Sequence, residues 1–183
     1  MRSPISYLPV ASGFLVLVLS LAVAVLAVSR PQTISTKATQ EEAVLSLSPA
    51  SGSYTFTSDA SYPVGIIVNS GSKNIDGVDV VLNYDPAKVK IMDAKLNTTN
   101  TFEETPVNVI DNARGQVKFS GLTFKAKPVA GIVGTFRYRP VSRGEVNFTF
   151  YFNPGSTTDS NVAEHGTAKD ILGKVENARY TFN

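Results

Sequence analysis

The sequence predicts an all-β domain, a two-sheet antiparallel β-sandwich of about nine strands, preceded by one transmembrane helix. After Ala43, no window of ten residues keeps an apolar stripe at helical spacing. Short runs of β-branched and aromatic residues recur there instead, between clusters of Gly, Pro, Asn and Asp that are typical of turns. The third observation is an uncharged apolar run near the N-terminus, long enough for one helix across a membrane.

Residues 1–29 are predicted to be a transmembrane anchor or an uncleaved signal. The apolar run at 10–28 is 19 residues long, close to the ~20 that a helix needs to cross the hydrocarbon core. Arg2 precedes the run, which favours a cytoplasmic N-terminus and an exported C-terminus. The alternative is a cleaved signal peptide with a small-residue site at 25–27.

Residues 30–43 are polar, contain Pro31, and have too little apolar content to order themselves, which predicts a flexible tether. The domain is predicted at 44–183. Its candidate strands are Val44–Ser48, Tyr54–Thr57, Val64–Asn69, Val78–Tyr84, Lys90–Leu96, Val107–Asp111, Gln116–Leu122, Ile132–Arg139, Glu145–Phe152 and Val175–Phe182.

Three of these strands alternate apolar and polar residues, which indicates that one face packs on a core and the other faces water. The apolar sets are Val78, Val80, Leu82 and Tyr84; Ile132, Phe136 and Tyr138; and Val146, Phe148, Phe150 and Phe152. The Phe-rich strand at 146–152 is predicted near the centre of the sandwich. The predicted core contains Leu82, Phe119, Phe136, Phe148 and Phe150.

Asp85 stands where the alternation at 78–84 ends, and Pro86 follows it. Proline suits the first position of a helical turn, because its missing N–H needs no partner there. The Asp85 carboxylate is then placed to accept the amides of Ala87 and Lys88, as an N-cap does. We interpret it as a cap rather than a catalytic or metal-binding group, since those roles need partner residues.

Composition excludes several classes of function. Outside residues 1–30, basic and acidic residues balance at 15 each, so no basic face is available to bind nucleic acid. Cysteine is absent and His165 is the only histidine, which leaves too few ligands for a zinc site. A Ser-His-Asp arrangement of Ser160, His165 and Asp159 is formally possible, but no pattern signals that the three converge. We therefore expect no enzyme and no cofactor.

The segment at 153–172 is long, polar and without strand pattern, and such loops tend to be functional or ordered by their own polar groups. Asp159, Asn161, Glu164 and Asp170 supply oxygen ligands of the kind that calcium uses, although their spacing fits no EF-hand loop. The favoured interpretation is that Asp159 and Asn161 form turns and that Asp170 begins a short turn toward the core. Calcium is the alternative.

The candidate binding surface is the polar side of the Phe-rich strand, where Asn147, Thr149 and Tyr151 alternate with the core residues. Arg137 and Arg139 point outward from another strand and could extend this surface toward a carboxylate-bearing partner. Sugar-binding surfaces rely on flat aromatic rings, and this chain has no Trp. A protein ligand is therefore favoured over a polysaccharide.

The stretch "DGVDVVLNYDPAKVKIMDA" resembles the strand–turn–strand of cohesin domains and of related carbohydrate-binding modules. The residues that carry the resemblance are Ile75, Gly77, Leu82, Tyr84, Asp85, Pro86 and Val89. It extends over the whole domain, through "LSLSPASGSYTF", "GQVKFSGLTF", "GIVGTFRYRPVSRGEVNFTF" and "VENARYTFN". The resemblance implies a nine-stranded jelly-roll sandwich that performs no chemistry and binds another module, which in cohesins is a dockerin held on the face of one sheet.

The sequence thus predicts a membrane-anchored, non-catalytic binding module on the extracytoplasmic side of the cell membrane. Its expected partner is a protein such as a dockerin-like module. A carbohydrate-binding module that recognises a cell-surface polysaccharide is the alternative.

Overall fold

A computed structural model describes residues 42–183, and these form thirteen strands. In chain order they are β1 Ala43–Ser48, β2 Ser51–Tyr54, β3 Tyr62–Asn69, β4 Ile75–Tyr84, β5 Val89–Ile91, β6 Asn97–Thr98, β7 Glu104–Asp111, β8 Gln116–Lys127, β9 Ala130–Pro140, β10 Gly144–Phe150, β11 Asn161–Glu164, β12 Leu172–Glu176 and β13 Ala178–Phe182.

The strands make two sheets, as predicted. The first sheet has the order β12-β1-β3-β9-β5, with β6 also paired to β9, and the second has the order β2-β13-β10-β4-β8-β7, with β11 also paired to β4. Two pairings, β1 with β12 and β2 with β13, are parallel. The prediction of purely antiparallel sheets was wrong at these two places, because the chain returns at its C-terminus to run beside its first two strands.

The core lies between the sheets, where period-2 alternation places the apolar side chains. All five predicted core residues are buried, with exposed fractions of 0% to 4%. The Phe-rich strand β10 lies between β13 and β4, near the middle of the second sheet as predicted. At one end of the core, five aromatic rings are in contact: Tyr54, Tyr62, Tyr138, Tyr180 and Phe182.

A bulge in β9 reverses the face predicted for Ile132. Ile66 pairs with Gly134 and Ile67 pairs with Ile132, so Val133 is an extra residue in the ladder. Val133 is buried at 1% exposed, whereas Ile132 is 43% exposed. The alternation of Phe136 and Tyr138 therefore does not continue to Ile132, since one inserted residue moves the next side chain to the other face.

The second sheet contains one interrupted strand. Both β10 and β11 pair with the same edge of β4, and the chain leaves the sheet between them at residues 151–160. Along the edge of β4 between these two pairings, Ser160 Oγ accepts a hydrogen bond from Val81 N (3.0 Å) and donates one to Val81 O (3.3 Å). The segment at 153–172, predicted to lack strands, thus contains β11 and reaches β12.

The predicted final strand at 175–182 is two strands in different sheets. The chain crosses from the first sheet to the second at Asn177, whose Oδ1 accepts the amide of Phe150 (2.9 Å). The predicted strand at 90–96 is also shorter, since β5 ends at Ile91. With the short strand β6, the new strand β11 and the division of the strand at 175–182, the ten candidate strands become thirteen.

Asp85 ends β4 in a hydrogen-bonded turn. Its Oδ1 accepts the amide of Ala87 (2.9 Å), as predicted, but the amides of Lys88 and Val89 both bond the backbone carbonyl of Asp85 at 3.1 Å. The predicted helix at 1–29 and almost all of the tether at 30–43 lie outside the described residues. Within 42–183, no helix is long and apolar enough to cross a membrane.

Candidate functional site

The outer face of the second sheet is built from the outward side chains of β10, β4, β8 and β7. The strand register arranges them in rows that run across the sheet. The rows are Thr149, Asn83 and Gln116; then Tyr151, Val81, Lys118 and Val109; then Asp79, Ser120 and Val107. Tyr151 follows β10 and joins its row because its amide donates to Val81 O (2.8 Å).

Four apolar side chains within the strand register of this outer face are exposed. Val107, Val109, Leu122 and Tyr151 have exposed fractions of 37%, 52%, 41% and 45%. They stand among uncharged polar groups such as Asn83 and Thr149. Isolated exposed apolar residues are common on proteins, but four on one sheet face provide both apolar area and hydrogen-bonding groups for a ligand.

A shallow polar cleft of about 380 Å³ lies at one side of the outer face. Asn147 and Thr149 line it together with Asp85, Lys88 and Glu145. Asn147 Nδ2 donates to Glu145 Oε1 (2.7 Å), and this bond, assisted by Arg179, holds the pKa of the Glu145 carboxyl below its usual value. Glu145 is thus kept ionised, which gives the cleft a fixed negative charge close to Lys88.

The structure brings together only part of the predicted binding surface. Asn147, Thr149 and Tyr151 share the outer face of the second sheet, whereas Arg137 and Arg139 belong to β9 of the first sheet. Arg137 is also engaged, since its guanidinium donates to Ser61 Oγ (2.7 Å) and to Ser61 O (3.1 Å). The prediction that the two arginines extend the surface was wrong, because outer faces of two packed sheets point in opposite directions.

The Ser-His-Asp arrangement is not formed. His165 Nδ1 is hydrogen-bonded to Asp76 Oδ1, and Asp76 Oδ2 accepts the amide of Gly166 (3.2 Å). The bond to His165 is the main cause that lowers the pKa of the Asp76 carboxyl. Ser160 is fully buried and bonded to the backbone of β4. Ser160 is therefore bonded to the Val81 backbone and not to His165, so the two do not form a nucleophile–base pair.

The calcium candidates are also separated. Asp170 Oδ1 accepts the amides of Val162 and Leu172, both at 3.0 Å, so this carboxylate shapes the turn into β12. Glu164 forms an ion pair with Lys73 (2.8 Å). Asn161 stands beside Asp79 in the β11–β4 ladder, and Asp159 is buried in the loop that interrupts the sheet. Within 42–183, no group of three or more His, Cys, Asp or Glu residues is placed to hold a metal.

Sequence reasoning missed the half of the outer face that comes from β7 and β8. Alternation already placed Asp79 and Asn83 on the water side of β4. No local pattern shows that Lys118, Val107 and Val109 lie beside them, because strand neighbours depend on the order of strands in the sheet.

These features define a class of protein, a two-sheet β-sandwich with a mixed polar and apolar outer face on its second sheet. Solved structures with the same fold are cohesin domains, so residues 42–183 are a cohesin-like module in fold. The sixth cohesin of scaffoldin B from Acetivibrio cellulolyticus, solved in complex with a Cel5 dockerin, has 13% identity and a TM-score of 0.59; the match covers 78% of this chain and 100% of that chain.

Two further neighbours show the range of the fold. The third ScaC cohesin of the same organism, in complex with the ScaB dockerin, has 14% identity and a TM-score of 0.57, with 76% of this chain and 98% of that chain covered. A non-cellulosomal cohesin from the archaeon Archaeoglobus fulgidus has 10% identity and a TM-score of 0.54, with 78% and 94% covered. No family model matches the sequence, and no curated protein matches it.

Proposed function

We propose that residues 42–183 are a non-catalytic module that binds a protein partner through the outer face of the second sheet. The observation that carries the proposal is the exposure of Val107, Val109, Leu122 and Tyr151 on that one face. Exposed apolar groups beside hydrogen-bonding ones are typical of protein interfaces, in which aromatic residues are enriched.

The partner is a dockerin-like module. This part of the proposal is supported by neighbours of the same fold that were solved in complex with dockerins. At 13% to 14% identity, the side chains that recognise the partner are specific to this chain. Specificity therefore depends on the pattern of Asn83, Thr149 and Tyr151 and on the charges of Lys88 and Glu145 in the adjoining cleft.

The module performs no chemistry. Supporting this, the described part of the chain brings no nucleophile into contact with its one histidine. The nearest serine candidate, Ser160, is buried and saturated by backbone bonds. Without a base beside a nucleophile, hydrolytic catalysis lacks its first requirement.

Residues 1–29 anchor the module to the cell membrane, with the sandwich on the extracytoplasmic side. The uncharged apolar run at 10–28 supports this part of the proposal. Protease added to intact cells is expected to remove the module from an anchored chain. Mature protein whose sequence begins near Val28 would show a cleaved signal instead.

The test of partner binding uses a matched pair of variants of the full chain in detergent. Val109 and Ile132 are both β-branched strand residues, exposed at 52% and 43%, on the outer faces of opposite sheets. The same extract is passed over immobilised wild type, Val109→Asp and Ile132→Asp, and a glycan array is probed in parallel. We expect one protein partner to be retained by wild type and Ile132→Asp and lost by Val109→Asp.

Two results would contradict the proposal. Equal capture by Val109→Asp and wild type would show that the partner binds elsewhere. Saturable glycan binding that disappears in Tyr151→Ala, with no protein captured, would make the module a carbohydrate-binding one.

A further inference from the structure

Asp159 carries an uncompensated carboxylate oxygen. The side chain is 2% exposed, and its Oδ2 accepts the amide of Asn153. Within the described part of the chain, its Oδ1 is shielded from solvent and has no hydrogen-bond donor. Burying an ionised oxygen without a partner costs several kcal/mol, so such a group indicates that something else compensates its charge.

A second carboxylate, that of Asp79, lies beside the same cavity as Asp159. Asp79 on β4 and Asp159 both border a cavity of about 200 Å³ between the outer face of the second sheet and the loop at 157–159. Asp79 Oδ1 accepts a hydrogen bond from Ser120 Oγ. Among residues 42–183, neither Asp79 nor Asp159 forms an ion pair with a basic side chain. Two carboxylates therefore border one small space, and neither of them is paired with a basic side chain.

Part of the remaining lining carries neutral oxygens. Ser120, Thr157 and Thr158 line the cavity and have hydroxyl and backbone carbonyl oxygens, and the cavity has room for several waters. Carboxylates combined with hydroxyl, carbonyl and water oxygens in an irregular loop are the ligand set of calcium, which accepts six to eight oxygens in flexible geometry. Magnesium demands a near-ideal octahedron and suits such a loop less well.

We propose that this cavity is a calcium site in which Asp159 and Asp79 are the charged ligands. The ion would join the loop at 157–159 to β4 and β8. It would thereby hold the segment between β10 and β11 against the outer face of the second sheet. Lys118 also lines the cavity, but its side chain is exposed and can extend into solvent. With two carboxylates, the expected affinity is that of weak extracellular sites, with Kd roughly 0.1–1 mM.

The test measures binding of the ion alone and does not depend on any partner. The full chain in detergent is stripped with a chelator and titrated with CaCl₂ by calorimetry and thermal unfolding. We expect one ion per chain and a Tm that rises with calcium, because the ion binds the folded state. Asp159→Asn should weaken the affinity about tenfold or more, whereas Lys118→Met should strengthen it by removing a positive charge.

Asp59→Asn is the matched control, because Asp59 is an exposed turn residue outside the cavity and its change removes the same charge. It should bind calcium as wild type does. If Asp159→Asn does not fold, Asp79→Asn replaces it, since Asp79 is only half-buried. No binding up to about 10 mM calcium, ten times the weakest expected Kd, overturns the proposal. Equal affinity in wild type and the folded cavity variants overturns it as well.

Discussion

The side-chain amide of Asn112 pairs with the backbone of Ile91 as a neighbouring strand would. Asn112 Oδ1 accepts the amide of Ile91 (2.8 Å), and its Nδ2 donates to Ile91 O (2.9 Å). Asn108 repeats the arrangement with Leu96, at 2.7 and 3.1 Å. Asn112 thus joins the turn after β7, in the second sheet, to the end of β5 in the first sheet, and Asn108 joins β7 to the segment that follows β5.

Replacing Asn112 should therefore destabilise the domain. Asn112→Ala leaves both backbone groups of Ile91 without their partner, and we expect the free energy of unfolding to fall by about 1–3 kcal/mol. Denaturant unfolding measures this loss. Asn100→Ala is the control, since Asn100 is exposed and its change should stay within about 0.5 kcal/mol. Equal stability of the two variants would refute the structural role of Asn112.

Asp85 tests the capping interpretation. Asp85→Ala removes the acceptor for the amide of Ala87 (2.9 Å) and should lower the free energy of unfolding by about 0.5–2 kcal/mol. Asp85→Asn keeps a side-chain acceptor and should be mild. Partner binding should survive in both variants. If a fully stable Asp85→Ala lost its partner selectively, Asp85 would be a recognition residue of the adjoining cleft instead.

Removing the hydroxyl group should affect the stability of the domain differently at two buried tyrosines. In the described structure, Tyr138 OH is buried without a hydrogen-bond partner, whereas Tyr180 OH donates to Pro49 O. Tyr138→Phe removes an unsatisfied polar group and should leave stability unchanged or raise it by up to about 1 kcal/mol. Tyr180→Phe should lose about 1 kcal/mol. Thermal unfolding of the two variants side by side gives the comparison, and a larger loss in Tyr138→Phe would contradict it.

The domain should lose stability in alkali. Burial, assisted by the nearby Asp111 carboxylate, raises the pKa of Tyr84 to about 12, against ~10 in an unfolded chain. Burial also raises the pKa of Tyr138 and Tyr180. These tyrosines lose their protons at a higher pH in the folded state than in the unfolded state. Their contribution to the free energy of unfolding is therefore fully present below pH ~10 and is lost as the pH rises toward 12.

Denaturant unfolding across that pH range measures the slope. Tyr84→Phe should flatten it, because one group with a raised pKa is removed. A slope that is identical in Tyr84→Phe and wild type would mean that other groups cause the alkaline loss.

The sequence by itself determined the all-β class, the two-sheet sandwich and most of the core. Alternation of apolar and polar residues is a local property of an extended chain, so the buried face of Val78–Tyr84 or of Val146–Phe150 is evident without knowing its neighbours. The same pattern placed Asn147, Thr149 and Tyr151 on one outward surface.

Only the tertiary structure determined which strands and side chains are neighbours. The bulge at Val133, the crossing at Asn177 and the pairing of Asn112 with Ile91 depend on strand register and order, which no short window encodes. The same holds for Asp79 and Asp159, which are 80 positions apart in the chain and border one cavity because β11 returns to the edge of β4. Sheets bring distant segments together through backbone hydrogen bonds that any sequence can form, so the neighbours are set by the packing of the whole domain.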